Sequence, residues 1–352
     1  MPERSAVRST FAGRGASGQE KGAVVRLSLS FTGFGSILAD LPGVWAADAC
    51  GFDGVWYAEH ICAHDAVVPA TVYLRETERL ELILMGISTA GRHPGLAAME
   101  LASLAEIAPG RVRAAIGTGV PDMIAKLGKS IDRPIKSTLA LHQALKAALA
   151  GDDLTAAHPA FRFEQYKLNP LAAPPPLDIM AVRPRMVELA ARYADGVCLS
   201  AGASRKYLAE TVQRVEATLA EVGRPRNSFR ISAVVTAVIT DDVQQAHAQV
   251  ASLLSNFDPA TTEYLAAGAI PEGALVNAFA TGGPLEAVRV LTPQVIDAVA
   301  MVCPPAAVGD SLAAYAQTGI DEIAIAPFAA PGQLPELIQL IAECRPLLTA
   351  HP

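Results

Sequence analysis

The feature that most constrains this fold is a helix-to-strand junction that occurs three times. In each copy a helical pattern ends, an aspartate occupies the turn, and a short apolar run rich in β-formers follows. The copies read C-G-F-D-G-V-W-Y from Cys50, Y-A-D-G-V-C-L-S from Tyr193 and G-I-D-E-I-A-I-A from Gly319. Strand-length apolar runs alternating with helices are typical of βα units.

Eight strands can be placed along the chain, and most of them are followed by a helical pattern. Eight buried parallel strands joined by helices predict an α/β fold of the TIM-like (βα)8 barrel type, with a doubly wound open sheet as the alternative. The predicted strands are 24–31, 53–58, 80–86, 111–117, 177–182, 196–200, 229–239 and 321–326.

Three segments fall outside the βα repeat. Residues 151–176 end in three prolines and predict a small hairpin before strand five. Residues 255–303 predict a mainly helical insertion between strands seven and eight. Residues 1–23 are basic and Gly/Ser-rich without an apolar signal core, and predict a disordered extension. We therefore expect one barrel domain over 24–350.

Composition narrows the class of protein. Of 352 residues 51% are apolar and 18% charged, which suits a large packed core, and the net charge of −7 argues against a nucleic-acid partner. Charges interrupt every apolar run before 18 residues, so no membrane span is predicted. Five scattered cysteines suggest reduced thiols in a cytoplasmic enzyme. The alanine-rich helices and the frequency of closed dimers lead us to expect a homodimer that acts on a small molecule.

The candidate catalytic group is His60, which follows strand two with Glu59 before it. Active sites of such barrels lie at the C-terminal strand ends, and an imidazole suits proton transfer near neutral pH. A histidine that only hydrogen-bonds a loop is the structural alternative. Glu59, His60 and His64 do not have the spacing of a helical H-E-x-x-H pair, so we predict no metal.

Other strand exits are less decisive. Gly117-Thr118-Gly119 could hold a phosphate or simply form a tight βα turn. Arg92, before the helix that begins at Pro94, could meet an anion or form an ion pair with a neighbour. For Cys62 we expect a small buried apolar side chain rather than a reactive thiol.

Together these segments resemble the bacterial luciferase-like oxidoreductase superfamily. The branch most similar to this chain is that of methylenetetrahydromethanopterin reductase, which uses the deazaflavin coenzyme F420. The resemblance rests on R-H-P before the third helix, G-R-V-R-A-A-I-G-T-G at strand four and Y-A-D-G-V before strand six. It implies a TIM-like barrel with an insertion between strands seven and eight.

The resemblance also implies roles for residues. His60 would face the reactive ring edge, with Glu59 as the second candidate catalytic residue. The back of the ring would rest on the exit of strand three, where relatives often have a non-proline cis peptide. Thr118 and Gly119 would contact the ribityl-phosphate side, and the strand-five loop would bind the phosphate. The full implied coenzyme set is Met85, Gly86, Ile87, Ser88, Thr118, Gly119, Ala181, Val182, Arg183 and Ser200.

Departures from the deazaflavin pattern keep alternatives open. Many deazaflavin members have S-D-H where this chain has Ala58-Glu59-His60, and A-E-H also occurs in flavin monooxygenases. The main hypothesis is an F420-dependent oxidoreductase that transfers a hydride between C5 of the coenzyme and a small organic substrate. The alternatives are an FMN-dependent two-component monooxygenase and a flavin-binding protein without turnover. Val120 and His64 replace residues of the sugar-phosphate dehydrogenases, which argues against that substrate.

Overall fold

The strands form a closed parallel barrel in the computed structural model, which describes residues 25–348. Closure follows because β9 pairs with β8 on one side and with β11 on the other. All strands except β5, β6 and β10 belong to the eight-stranded barrel. The strands of the described chain are β1 (Arg26–Phe31), β2 (Gly54–Ala58), β3 (Glu81–Ser88), β4 (Val112–Gly117), β5 (Leu154–His158), β6 (Phe161–Tyr166), β7 (Leu177–Ala181), β8 (Gly196–Leu199), β9 (Arg230–Ile239), β10 (Met301–Cys303) and β11 (Glu322–Pro327).

Helices connect the strands and cover the barrel. Proline stands in the first turn of many of them, where its missing N–H costs no hydrogen bond. In the described chain the helices are α1 (Leu41–Ala49), α2 (Val67–Glu76), α3 (Pro94–Ile107), α4 (Pro121–Ala125), α5 (Pro134–Ala150), α6 (Pro184–Tyr193), α7 (Arg205–Glu221), α8 (Val243–Leu254), α9 (Pro259–Leu265), α10 (Ala274–Gly282), α11 (Pro284–Val290), α12 (Pro293–Val299), α13 (Val308–Ala316) and α14 (Leu334–Glu343).

The predicted barrel is confirmed, and each of the eight predicted strands has its counterpart within two residues at either end. The open-sheet alternative is wrong, because the barrel has no unpaired edge between β8 and β9. The predicted extension at 1–23 lies outside the described residues. None of the described helices is long and apolar enough to cross a bilayer.

The hairpin predicted within 151–176 is confirmed as the antiparallel pair β5–β6. It packs against the start of α3, where the Tyr166 hydroxyl donates to the Gly95 carbonyl at 2.9 Å. The His93 ring bridges the same two elements. Its Nδ1 accepts from Gly95 N at 3.1 Å and its Nε2 lies 2.8 Å from the Arg162 carbonyl. His93 therefore fixes the hairpin to the barrel.

Helices α8–α12 and β10 lie between β9 and β11. The short β10 extends the sheet beside the last residues of β9, with Met301 opposite Ala237. These helices bury an apolar cluster separate from the barrel core, with Val250, Leu254 and Ile296 among its members. The segment is thus a packed unit beside the exit of β9.

The barrel interior is layered, and its lower layer is charged. Toward the N-terminal strand ends, Glu81 contacts Arg230 at 2.6 Å and Arg26 at 2.8 Å, while Arg113 contacts Asp178 at 2.5 Å. Burial raises the pKa of Asp178 to about 7, against the opposing charges of Arg113 and Arg230. Sequence analysis did not predict this network. Its signal is a charged residue at the first or second position of six of the eight barrel strands.

An apolar layer separates this network from the barrel mouth. Its members are small or flat side chains that face inward from alternate positions: Trp56, Ile83, Ala115, Cys198, Val234 and Ala324. The Trp56 indole donates to buried Glu322 below it at 3.1 Å. The mouth therefore opens over an apolar floor rather than over the charges.

Candidate active site

Close approach of the loop after β1 shapes one side of the mouth. Gly33 has φ +74°, and a Cβ on it would lie 2.2 Å from the carbonyl oxygen of Ala58 at the end of β2. Only glycine can bring the backbone this near. The next residue, Phe34, consequently lies over the exit of β2, with its ring centroid 4.5 Å from that of His60 and an interplanar angle of 32°.

His60 follows β2, at the position that the sequence suggested, and its side chain is half-buried. Its Nδ1 is enclosed and has no hydrogen-bond partner among the described residues. Burial lowers the pKa of His60, against the opposing effects of backbone groups of Thr32 and Ala58 and of the Glu59 charge. The imidazole is therefore neutral near pH 7 and able to accept a proton.

Glu59 is held in an ion pair instead of facing the mouth freely. Arg92 Nη1 lies 2.6 Å from Glu59 Oε1, and the Ala66 amide donates to Glu59 Oε2 at 3.2 Å. The Glu59 side chain is only 9% exposed. Arg92 also contacts Glu100 at 3.2 Å. Of the two roles considered for Arg92, an anion site or an ion pair, these contacts are those of an ion pair. This pair ties the exits of β2 and β3 together.

The exit of β3 is irregular because it contains a β-bulge. The register to β4 shifts between Met85 and Ile87, and Gly86 has φ +109°. The cis peptide that the resemblance led us to expect is absent: residues 25–348 contain none. A positive φ at glycine turns the chain here, so a trans bond suffices. Ser88, buried after the bulge, donates to the Thr118 carbonyl at 3.1 Å.

The floor beneath these exits is rich in sulfur. Cys198 Sγ lies 3.8 Å from Met85 Sδ. Met180 Sδ would lie 3.2 Å from a Cβ on Gly117 and 3.9 Å from one on Gly86. Thioether and thiol groups give a polarizable apolar surface that adapts to a flat ring. Sequence analysis missed Met180 and Cys198, although their inward position follows from strand alternation.

The turn at Thr118-Gly119 is tight and accessible. Gly119 has φ +81°, and a Cβ there would lie 2.9 Å from both Ser88 Oγ and Ile124 Cδ1. Gly119 is exposed, whereas Gly117 is buried. The turn therefore allows close backbone approach from the mouth side.

The exit of β7 is connected to the segment after β9. Arg183 donates to the Ala260 carbonyl at 3.1 Å, and its guanidinium lies 4.0 Å from the centroid of the Tyr264 ring. The Tyr207 hydroxyl donates to the Val182 carbonyl at 2.7 Å. Ala181 is buried at the end of β7, and Ser200 is half-buried at the exit of β8. The N-terminus of α6 after Arg183 has no side-chain cap.

Two other sequence predictions concern the loop after β2. Cys62 is exposed with φ +72°, so the prediction of a buried thiol is wrong. The left-handed backbone at this residue belongs to the turn after β2, and the side chain lies in solvent. His64 Nδ1 lies 3.3 Å from the Tyr57 hydroxyl. No group of three or more potential metal ligands occurs within residues 25–348.

A (βα)8 barrel whose mouth combines a half-buried histidine with an apolar floor has the form of a cofactor-dependent enzyme. The sequence profile of the luciferase-like monooxygenase family matches residues 44–322, so the chain belongs to this family. The predicted superfamily and the predicted oxidoreductase class are thereby confirmed.

Similar proteins include reductases of archaea. The chain is 26% identical over 200 residues to 5,10-methylenetetrahydromethanopterin reductase of Methanolobus tindarius, covering 57% of this chain and 61% of the relative. It is 24% identical over 286 residues to the enzyme of that name from Archaeoglobus fulgidus, and this match covers 79% of this chain and 86% of the relative. The structure of the coenzyme F420 dependent tetrahydromethanopterin reductase of Methanopyrus kandleri superimposes on this chain with a TM-score of 0.76 at 17% identity. The superposition covers 91% of this chain and 98% of that reductase.

Proposed function

We propose that this protein is a deazaflavin-dependent oxidoreductase that transfers a hydride between C5 of coenzyme F420 and a small organic substrate. The observation that carries the proposal is the apolar, sulfur-lined floor directly beside the half-buried His60. The name of the similar Methanopyrus kandleri reductase includes coenzyme F420, which supports the choice of coenzyme.

The residues present fit a flat ring with a phosphate-bearing tail. A Cβ on Gly86 would lie 3.7 Å from the Glu59 carbonyl oxygen and 3.9 Å from Met180 Sδ, which are ordinary van der Waals distances, so no atom presses on the backbone at the bulge. We assign the back of the ring to Met85, Gly86, Ile87 and Ser88. When bound, the coenzyme supplies a carbon that accepts or gives up a hydride.

The tail is assigned to the exits of β4, β7 and β8. The amides at the uncapped start of α6 suit a phosphate, because a helix N-terminus carries partial positive charge. Arg183 can reach the same position if it leaves Tyr264. The proposed contacts on this side are Thr118, Gly119, Ala181, Val182, Arg183 and Ser200.

We assign proton transfer to His60. A neutral imidazole accepts the proton of a hydroxyl as the adjacent carbon loses its hydride, and returns it in the reverse reaction. Glu59, whose carboxylate already binds Arg92 and Ala66, is a positioning residue that fixes the backbone next to His60.

An FMN-dependent two-component monooxygenase is the second candidate. It is favoured by the Ala58-Glu59-His60 sequence at β2 and by the activity in the family's name. Fluorescence titration of the full chain with oxidised and reduced F420, and separately with FMN, distinguishes the two. Micromolar binding of F420 without FMN binding supports our proposal. Tight binding of FMN alone contradicts it and makes oxygen and a reductase the next reagents.

We propose a homodimer in the cytoplasm. The compartment is supported by the free state of all five cysteines. The dimer is supported by α3, whose residues Leu96, Met99 and Ile107 share one face and are exposed. Met99→Glu should convert a dimer to monomer in sedimentation equilibrium, whereas Val222→Glu, on another exposed surface, should not. A monomeric unmutated protein would contradict this proposal.

A further inference from the structure

The loop after β1 carries an aromatic side chain at the mouth of the barrel. Phe34 lies between two glycines, and its side chain is 63% exposed. The exposed ring offers an apolar face at the mouth of the barrel that a ligand can cover. Since Gly33 holds the loop against Ala58, the position of this ring is set by the backbone.

We propose that Phe34 is the residue that selects the substrate, offering an apolar face beside His60 to a neutral, largely apolar molecule. This inference rests on the proposed function, since the substrate is the hydride donor or acceptor of that reaction. The same ring acts as a positioning residue for the imidazole, because one of its faces is stacked on His60.

The rings of Phe34 and His60 lie close together. A centroid distance of 4.5 Å and an angle of 32° describe a tilted stack, in which one face of the imidazole is shielded from water by Phe34. Burial lowers the pKa of His60 in spite of the backbone groups of Thr32 and Ala58, and its Nδ1 is enclosed without a hydrogen-bond partner among the described residues. Both facts favour the neutral imidazole.

The surroundings of His60 favour a neutral substrate. The charged groups beside His60 at the exits of β2 and β3 already have partners. Glu59 binds Arg92, and Asp65 Oδ1 accepts from the amides of Val67 and Val68 at the start of α2. Lys129 also reaches the exit of β3, where its Nζ donates to the Ala90 carbonyl at 2.8 Å. The charged groups named at these two exits are therefore engaged with protein partners rather than free beside the imidazole.

The surfaces around the mouth are mainly apolar. Below the exits lie Met85, Met180 and Cys198, and beside them lies the exposed ring of Phe34. A substrate between these surfaces gains by removing apolar area from water, whereas a carboxylate there would lose hydration without a cation in return.

The titration of the His60 imidazole is followed by NMR in the full chain without coenzyme. A failure of the proposed function is detected in a different experiment, the coenzyme titration. In Phe34→Ala the midpoint of the His60 titration should move to higher pH, because water reaches the ring. Phe34→Trp should restore the lower midpoint. Phe257→Ala, which removes an exposed phenylalanine after α8, is the control and should leave it unchanged.

Benzyl alcohol and benzoate serve as matched neutral and charged probes of the same surface. Benzyl alcohol should shift the His60 resonance, benzoate should not, and Phe34→Ala should weaken binding of the alcohol roughly 3- to 10-fold. An unchanged midpoint in Phe34→Ala overturns the positioning role. Equal binding of benzoate overturns the substrate class, and loss of F420 affinity with unchanged alcohol binding assigns Phe34 to the coenzyme instead.

Discussion

Arg92 Nη1 lies 2.6 Å from Glu59 Oε1 and thereby links the exits of β2 and β3. The pair is mostly buried, which distinguishes it from the ion pairs of the outer helices. Because removing one partner leaves a largely buried charge, breaking such a pair costs far more free energy than breaking an exposed one. The position of His60 depends on this link, since Glu59 is its chain neighbour.

Arg92→Met should lower the free energy of unfolding by about 2–3 kcal/mol, because Glu59 loses its cation in a site of low polarity. Denaturant unfolding measures the effect. Arg192→Met is the matched control: Arg192 pairs with Glu221 at 2.7 Å on the exposed surface, and its loss should cost less than about 1 kcal/mol. Equal losses of unfolding free energy in both variants would show that the Arg92–Glu59 pair stabilises the protein no more than the exposed pair does.

His60→Ala should lower kcat by ~10²-fold or more while the Kd for the coenzyme stays nearly unchanged, since the residue moves a proton and does not hold the ring. Steady-state kinetics on a substrate found by screening, together with coenzyme titration, measures both. Added imidazole should restore part of the rate in His60→Ala. An unchanged kcat would remove His60 from the reaction.

Gly119→Ala should destabilise the protein by about 2–3 kcal/mol and weaken coenzyme binding, because φ is +81° and the new Cβ would press on Ser88 and Ile124. Thermal unfolding and coenzyme titration measure the two effects. Gly110→Ala is the control, since Gly110 has φ +74° with nothing within 4 Å of its Cβ position. It should cost about 1 kcal/mol and leave coenzyme affinity intact. Equal effects of both variants on affinity would exclude the Gly119 turn from the coenzyme site.

His142 should make the fold sensitive to acid. The ring on α5 is 1% exposed, both nitrogens lack partners among the described residues, and burial lowers its pKa to about 4. The unfolded chain binds the proton below about pH 6.5, before the folded chain does, so stability is lost as the pH falls through this range.

Between pH 7 and pH 5 this residue should account for a loss of about 2 kcal/mol. His142→Leu should remove that part of the pH dependence in denaturant unfolding. His142→Gln, polar but not titratable, should remove it as well, which separates protonation from polarity. A pH dependence that survives in both variants would place its origin elsewhere.

Periodicity and junction chemistry were sufficient to predict the barrel. Asp53, Asp195 and Asp321 each stand at the start of a barrel strand and accept hydrogen bonds from the backbone of a neighbouring strand, at Leu27, Leu177 and Ile231. The aspartates that marked the three junctions in the sequence are therefore structural ties. Such a repeat can be read locally because each βα unit has the same turn.

The sequence by itself determined the eight strands, the hairpin, the exit positions of the candidate residues and the family. The tertiary structure alone decided which of these residues meet. Phe34 reaches His60 because Gly33 approaches Ala58, 25 residues further along the chain. Glu59 is neutralised by Arg92 of the next strand exit, and Arg183 is held by Tyr264. Contacts between distant segments depend on how loops pack on the closed barrel, and no local pattern specifies them.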